Sequence, residues 1–260
     1  MPIQPDHTTE SQKWFEYFSM RRTTAIHVSP AHSTQLTTGE ISTVTKSIQQ
    51  FQLGEGSKGQ RLLDRGRKYA QAMNDPLFYS SLDLFIREEQ QHSRYLEAFM
   101  RSQGIPRVAS HWVDSVFRSV RGWAGLELSL TVLVTAEFIA VPYYRALRDA
   151  TGSSILKMIC KRILEDEAAH LRYQSSMLGR IASKRREVLQ QAISMFHSLF
   201  LLGTIIVVWF DHHGVFEAAG YTFQRFKKET LHEFAKWGHL RRACSVMDTG
   251  GISITQQIRS

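Results

Sequence analysis

Apolar residues recur at steps of three and four along most of this chain, the spacing that places side chains on one face of an α-helix. The clearest seam covers residues 78–99 and follows Asp75-Pro76, an N-cap with a proline in the first turn. Its two central positions hold Glu89 and His92 instead of apolar residues. Because burying an unpaired carboxylate costs several kcal/mol, the pattern predicts a cation or a proton beside Glu89.

A second seam, over residues 156–177, has Glu167 and His170 at its centre. Both seams read acid-Glu-x-x-His-x-Arg-Tyr, so the chain contains an internal repeat of a metal-ligand motif. Glu and His three positions apart lie about 60° apart on a helix, so both can reach one bound ion. A single Glu-x-x-His arises often by chance, but two copies in matching contexts are a much stronger indication.

A third buried acid is predicted near residue 55. Thr37-x-x-Glu40 is the pattern of a capping box, and it opens a helix in which Glu55 lies seven residues from apolar positions on either side. Glu55 lies on the buried stripe if this helix continues through the glycines of residues 54–59. The alternative is a helix break that leaves Glu55 exposed.

A fourth acid lies in a long helix predicted over residues 123–150. Glu137 is the lone acid in its apolar stripe, and Pro142 is expected to kink or widen the helix one turn later. Glu127 is the rival ligand in this helix. It lies about 80° away from the stripe by helical arithmetic.

The remaining segments complete the predicted organisation. Residues 188–210 are increasingly apolar but fall short of the roughly 20 apolar residues of a membrane span. We expect this helix to be buried in the bundle or in a homodimer interface; the alternative is a peripheral membrane contact through residues 199–210.

The expected domain covers residues 37–240. Before it we predict a mostly mobile arm over residues 1–36, in which the aromatic island Trp14–Phe18 can dock as a helix. Outside the metal-binding core we also predict a helix over residues 108–121 and a helix beyond residue 223. A disordered tail is predicted over residues 241–260.

Composition narrows the function classes. With 43% hydrophobic and 22% charged residues, the chain is typical of a globular protein and is not broadly disordered. The net charge of +8 permits an anionic partner, but no Lys/Arg stripe interleaved with aromatics is present, so a nucleic-acid partner is not favoured. The two cysteines do not suggest a disulfide framework, and no signal sequence opens the chain, which favours the cytoplasm with membrane association as an alternative.

Together, four helices each place a ligand on the core stripe, between about residues 40 and 180. Such a bundle would hold four carboxylates and two imidazoles at its centre. Two divalent ions would balance the four negative charges. Mixed carboxylate and imidazole ligation suits iron, manganese or a mixed pair, and zinc is a further option.

These motifs resemble those of the ferritin-like di-iron carboxylate superfamily, which includes ribonucleotide reductase small subunits, bacterial multicomponent monooxygenases and rubrerythrins. The resemblance implies an all-α fold, a ferritin-like four-helix bundle with additional C-terminal helices, and two iron ions. By this resemblance Glu89 and Glu167 bridge the metals. The other implied roles are terminal ligation by Glu55 and Glu137, one metal each for His92 and His170, and orientation of His92 by Asp166 and of His170 by Glu88.

The resemblance implies an oxidoreductase that activates dioxygen to oxidise or hydroxylate a small organic substrate, with electrons from a separate donor. Neither the substrate nor the donor can be named from the sequence. Two alternatives are a ferritin-like ferroxidase or metal-handling protein, and a quinone or lipid oxidase at a membrane surface. The structural alternative is a bundle whose buried acids pair with Arg94, Arg145 or Arg172.

Overall fold

The computed structural model of the chain describes residues 7–21, 35–110, 125–182 and 187–247. Every regular element in these ranges is an α-helix, which confirms the predicted all-α fold. The helices are α1 (His7–Arg21), α2 (Thr38–Glu55), α3 (Gln60–Met73), α4 (Pro76–Ser102), α5 (Leu126–Asp149), α6 (Ser154–Ala182), α7 (Glu187–Ala218) and α8 (Phe223–Met247).

Helices α2, α4, α5 and α6 form the central bundle. Helix α2 packs along α4, α5 packs along α6, and contacts between α4 and α6 join the two pairs. The other helices surround this core: α1 lies on α4, α3 on α4 and α5, α7 on α2 and α5, and α8 on α5 and α6. The two seams found in the sequence therefore face each other, with Leu82, Phe85, Leu96, Leu156 and Ile163 fully buried.

The two helix starts that the sequence predicted from their caps are confirmed. Glu40 N donates to Thr37 Oγ1 and the Glu40 carboxylate accepts from Thr37 N, which completes the capping box of α2. Glu40 Oε1 also accepts from Gly152 N at 2.6 Å, so the start of α2 is tied to the turn between α5 and α6. Asp75 caps α4, where its Oδ1 accepts from Phe78 N at 3.1 Å.

The connection between α2 and α3 corrects the sequence prediction. Helix α2 ends at Glu55, and Gly59 takes the left-handed conformation, with φ of 59°, just before α3 begins. A Cβ at Gly59 would lie 2.6 Å from Ile86 Cδ1, so this turn packs closely on α4. The helix therefore breaks, but the Glu55 side chain is only 8% exposed. The expected exposure of Glu55 after a break is wrong.

The chain ends also differ from expectation. The prediction of a mostly mobile arm is wrong for residues 7–21, because these residues form α1. The predicted docking of the aromatic island is confirmed, because Phe18 is only 2% exposed. The predicted disorder is wrong for residues 241–247, which belong to α8. Residues 108–110 are not helical. The rest of that predicted helix, the remaining arm apart from residues 35–36 and the tail beyond Met247 lie outside the described residues.

Two helices in the described ranges are long and apolar enough to cross a membrane, judged by length and composition alone. Helix α5 is a core helix, because 72% of its most apolar window is buried inside the protein. The corresponding window in Val188–Ala218 of α7 is only 28% buried. The predicted burial of residues 188–210 in the bundle therefore holds for one side of α7 only.

Candidate metal centre

The two Glu-x-x-His motifs meet in the middle of the bundle. Glu89 and His92 on α4 and Glu167 and His170 on α6 each offer a ligand atom, and these atoms all lie within 4.8 Å of one another. Glu167 and both histidines are fully buried, and the Glu89 side chain is 12% exposed. This cluster of oxygen and nitrogen atoms can hold a metal ion.

Glu167 lies between the two histidines. Its Oε1 is 3.7 Å from His92 Nδ1, and its Oε2 is 3.6 Å from His170 Nδ1. The centroids of the two imidazole rings are 5.4 Å apart. One carboxylate oxygen of Glu167 is therefore available on each side, next to a different histidine.

Glu89 and Glu55 complete this arrangement on either side. Glu89 Oε1 lies 2.6 Å from His170 Nδ1, and Glu55 Oε2 lies 3.8 Å from His92 Nδ1. The other oxygen of Glu55 accepts a hydrogen bond of 2.6 Å from the Tyr144 hydroxyl. Tyr144 on α5 thus orients Glu55, although Glu55 is the last residue of α2.

Helix α5 contributes Glu137 to the centre. Glu137 is 3% exposed, and its Oε1 accepts a hydrogen bond of 3.0 Å from Gln174 Nε2 on α6. The rival acid Glu127 is only half-buried and lines a separate cavity with Tyr69 on α3. The structure therefore places Glu137, and not Glu127, with the other buried acids.

The outer nitrogen of each histidine is held by a carboxylate from the opposite motif. His92 Nε2 lies 3.2 Å from Asp166 Oδ2, and His170 Nε2 lies 2.9 Å from Glu88 Oε2. Since a carboxylate accepts, each Nε2 carries a hydrogen, so in the neutral imidazole the lone pair lies on the inward-facing Nδ1. A histidine fixed in this tautomer is prepared to bind a cation through Nδ1.

Two arginines contact the carboxylate that holds His92. Arg162 Nε donates to Asp166 Oδ2 at 2.9 Å, and Arg21 at the end of α1 pairs with Asp166 Oδ1. Arg21 Nε also lies 3.9 Å from Glu88 Oε1. The sequence reasoning missed both arginines. Arg162 was detectable four positions before Asp166, whereas Arg21 gave no local signal.

Arginine pairing does not account for the inner acids. Of the three arginines considered as alternative partners, Arg94 bonds Gln91, Arg172 bonds the carbonyl of Ala168, and Arg145 binds acids of α8. The acids bound by Arg145 are Glu229 and Glu233. These contacts lead away from the centre of the bundle, so the buried carboxylates need another cation or protons.

The acids and imidazoles of the centre compete for protons. Burial raises the pKa of Glu167 and of Glu89 well above its usual range, and the neighbouring charge of Glu137 raises both further. Burial alone would lower the pKa of His170, but the charge of Glu89 with the other adjacent carboxylates outweighs it, and the pKa is raised well above its ordinary value. Burial would raise the pKa of Glu55, yet the hydrogen bond and charge of His92 lower it.

Apart from contacts with other acids and histidines of the centre, the inner ligand atoms lack hydrogen-bond partners within the described residues. They are Glu89 Oε1, His92 Nδ1, both carboxylate oxygens of Glu167 and His170 Nδ1. Buried polar atoms in proteins are normally bonded, and each one left without a partner costs about 1–3 kcal/mol. Five such atoms converging on one small volume fit a bound metal ion, because a metal ligand offers a lone pair and needs no hydrogen bond there.

Other polar side chains at the centre were not assigned from the sequence. They are Tyr144 and Gln174, and each lies on the same helical stripe as a buried acid or histidine of its helix. Tyr173, the last residue of the second repeated motif, instead shares a hydrogen bond of 3.0 Å with Ser81. The stripe position was therefore the better signal for a polar contact at the centre.

Comparison of the chain with protein-family models, curated proteins and solved structures found no significant match. The resemblance to di-iron carboxylate proteins accordingly rests on the paired motifs and on the geometry of the Glu and His cluster in the all-helical bundle.

Proposed function

We propose that this chain binds two metal ions, iron first among the candidates, and is an oxidoreductase that activates dioxygen to oxidise or hydroxylate an organic substrate. The observation that carries this proposal is the convergence of five buried ligand atoms that have polar contacts only with other acids and histidines of the centre. The geometry of the histidines supports it, because both rings direct Nδ1 inwards while a carboxylate holds Nε2.

The side chains divide naturally between two ions. His92 with Glu55 would hold one ion and His170 with Glu137 the other, while Glu89 and Glu167 would serve both. This carboxylate-rich donor set suits iron or manganese. A reduced iron pair supplies the electrons for dioxygen chemistry, which protein side chains cannot provide by themselves.

The protein side chains orient and shield this centre. Asp166 and Glu88 keep the hydrogen of each imidazole on Nε2, so that Nδ1 remains free for a metal. The ring of Phe85 packs edge-on against His170 at 4.9 Å, and Phe18 lies 6.1 Å away. These buried aromatic rings exclude water from one side of the centre, which strengthens the electrostatic interactions inside it.

A largely apolar cavity supports an organic substrate. It has a volume of about 650 Å³ and lies between α3, α5, the end of α6 and α7. Thr131 in its wall precedes Glu137 by six residues, about 9 Å along α5. Its other lining residues include Tyr69, Leu126, Ile181, Ile193 and Phe196. A cavity of this size and lining can accept a small, mostly apolar molecule.

Metal content is the first test. Protein expressed with ample iron or manganese should contain about two ions per chain, because six ligands exceed the needs of one ion in the usual geometries. Glu167→Gln should retain less than half of this metal, since both oxygens of Glu167 face the centre. Glu165→Gln, an exposed change on the same helix, should retain it all. Wild-type protein without metal would contradict the proposal.

Reaction with dioxygen distinguishes the proposed oxidoreductase from iron storage. Ferrous ion is titrated into metal-free protein without oxygen, and dioxygen is then added while absorbance, particle size and products are followed. An oxidoreductase should react with about two ferrous ions per chain and require a reductant for further turnover. Oxidation and retention of many more ions per chain would favour a ferritin-like store instead.

A further inference from the structure

The outer face of α7 carries most of the exposed apolar surface in the described part of the chain. The described residues include ten exposed large apolar side chains, and eight of the ten lie on α7. Their exposed fractions range from 39% for Leu202 to 78% for Val188. The eight are Val188, Leu189, Met195, Phe196, Leu199, Leu202, Ile206 and Phe210.

These residues have the pattern of a helix that packs against another helix. Ala192, Met195, Leu199, Leu202 and Ile206 alternate steps of three and four, and all five are exposed. We call this set the α7 seam. Such alternation is the knobs-into-holes spacing of paired helices. The opposite side of α7 is already buried in the protein, so the α7 seam is a second packing face.

The area of this face matches what a stable protein partner requires. The exposed parts of the eight side chains amount to roughly 800 Å², which is the contribution of one partner to a standard-size interface. The largest apolar patch of a typical monomer covers about 300–600 Å². The sequence contains no charged residue from Val188 to Phe210 that would interrupt the patch.

The face is also complementary to itself. Gly203 lies at the midpoint of Val188–Ala218, and a Cβ placed there would meet nothing within 4 Å. If a second α7 ran antiparallel about the point between Leu202 and Gly203, Leu202 would face Gly203 of the second copy, a large side chain against an open space. Leu199 would face Ile206 of the second copy, and Met195 would face Phe210 of the second copy.

We propose that the α7 seam is the interface of a two-fold symmetric homodimer in which two α7 helices pack antiparallel about the point between Leu202 and Gly203. One isologous surface suffices for such a dimer, because each copy presents the same patch. A helix that lies on a membrane usually has Lys and Arg beside its apolar face, and residues 188–210 have none. The proposal does not depend on the metal centre.

Sedimentation velocity at micromolar concentration tests the dimer. Wild-type protein should sediment as a dimer, and Leu199→Glu and Ile206→Lys should each raise the dissociation constant at least 100-fold. Met158→Glu is the matched control, because Met158 is 41% exposed on α6, outside the α7 seam, and this variant should remain dimeric. Circular dichroism should show all three variants folded with wild-type helicity.

Mixing the two disruptive variants tests the register. In the antiparallel arrangement the new lysine of one copy faces the new glutamate of the other, so the mixture should form a heterodimer although each variant alone is monomeric. A parallel arrangement would not place these positions opposite each other and would give no rescue.

Three results would overturn the proposal. They are a monomeric wild-type protein, a dimer that survives both substitutions, and a mixture without rescue. A wild-type monomer that instead cosediments with phosphatidylcholine vesicles would assign this face to lipid. If a variant fails to fold, the sedimentation of the wild-type protein still decides whether a dimer exists.

Discussion

Asp166 links the proposed metal ligands to the outer side of the bundle. Its Oδ2 contacts both His92 Nε2 and Arg162 Nε, while Arg21 pairs with Oδ1. The side chain is 1% exposed, so its negative charge is stable only because these partners surround it. Asp166 therefore fixes the orientation of His92 and also balances two buried or half-buried cations.

Asp166→Asn should weaken metal binding on the His92 side. The amide is similar in shape but uncharged, so it holds the Nε2 hydrogen of His92 less firmly, and loss of such a partner costs about 10–100-fold in metal affinity. Anaerobic competition with a coloured chelator would show one of the two ions released at lower chelator concentration. Asp83→Asn, which alters an exposed pair with Arg87 on α4, is the control and should leave both affinities unchanged. Equal loss of both ions would contradict a local role for Asp166.

Glu137→Gln should have opposite effects on the metal-free and metal-bound forms. Glutamine can still accept from Gln174 Nε2, but the change removes one of four buried acids that repel one another. The metal-free protein should gain about 1 kcal/mol, a rise in Tm of roughly 2–4 °C. The metal-bound protein should lose stability because one ligand is weakened. Thermal melts with and without manganous ion would reveal this crossover.

Glu127→Gln provides the comparison for that experiment. Glu127 is on the same helix but lines the separate cavity. Its replacement should therefore change the free energy of unfolding of neither the metal-free nor the metal-bound form by more than about 0.5 kcal/mol. A loss of metal-dependent stabilisation in Glu127→Gln, with Glu137→Gln unaffected, would show that the α5 ligand is misassigned.

Helix α1 illustrates what the sequence could not predict at the scale of one element. It has 15 residues, a length at which an isolated helix is marginal in water. Its stability comes from distant contacts: Ser11 donates to Asp75 at 2.6 Å, and Arg180 bonds both residues. Because these partners lie 64 and 169 positions away from Ser11, no local sequence pattern predicts these contacts.

Phe18→Ala should therefore destabilise the protein through α1. Phe18 is 2% exposed and packs against Phe85 and Tyr173, so truncation should cost about 3–5 kcal/mol or detach the helix. Urea unfolding gives the free energy, and hydrogen exchange in α1 shows whether the helix is released. Met20→Ala is the control, because Met20 is 67% exposed on the same helix. If both variants lose the same stability, α1 does not dock as described.

The end of α2 shows a different limit of sequence reasoning. A break at the glycines was only the alternative interpretation of the sequence, and a break normally exposes the residues beside it. Glu55 remains buried because Tyr144 and His92, on two other helices, lie against its two oxygens. By contrast, the positions of Glu89, His92 and Glu137 follow from helical periodicity alone, which is why those could be placed in advance.

At the scale of the whole molecule, the centre joins all four helices of the bundle. Each of α2, α4, α5 and α6 contributes at least one buried acid, and two contribute a histidine as well. Without cations these groups repel one another or take up protons, so the middle of the bundle is its least favourable region electrostatically. A metal pair would convert the same residues into a crosslink between the helices.

Metal binding should therefore slow hydrogen exchange across the entire bundle. At a free metal concentration 100-fold above the dissociation constant, the folded state gains about 2.7 kcal/mol, or roughly 100-fold slower exchange for amides that exchange by global unfolding. We expect protection in α2, α4, α5 and α6 together, measured by mass spectrometry with manganous ion under anaerobic conditions. Glu167→Gln should abolish this protection, whereas Glu165→Gln should keep it. Protection confined to α4, or equal protection in both variants, would mean that the ion binds elsewhere and does not join the helices.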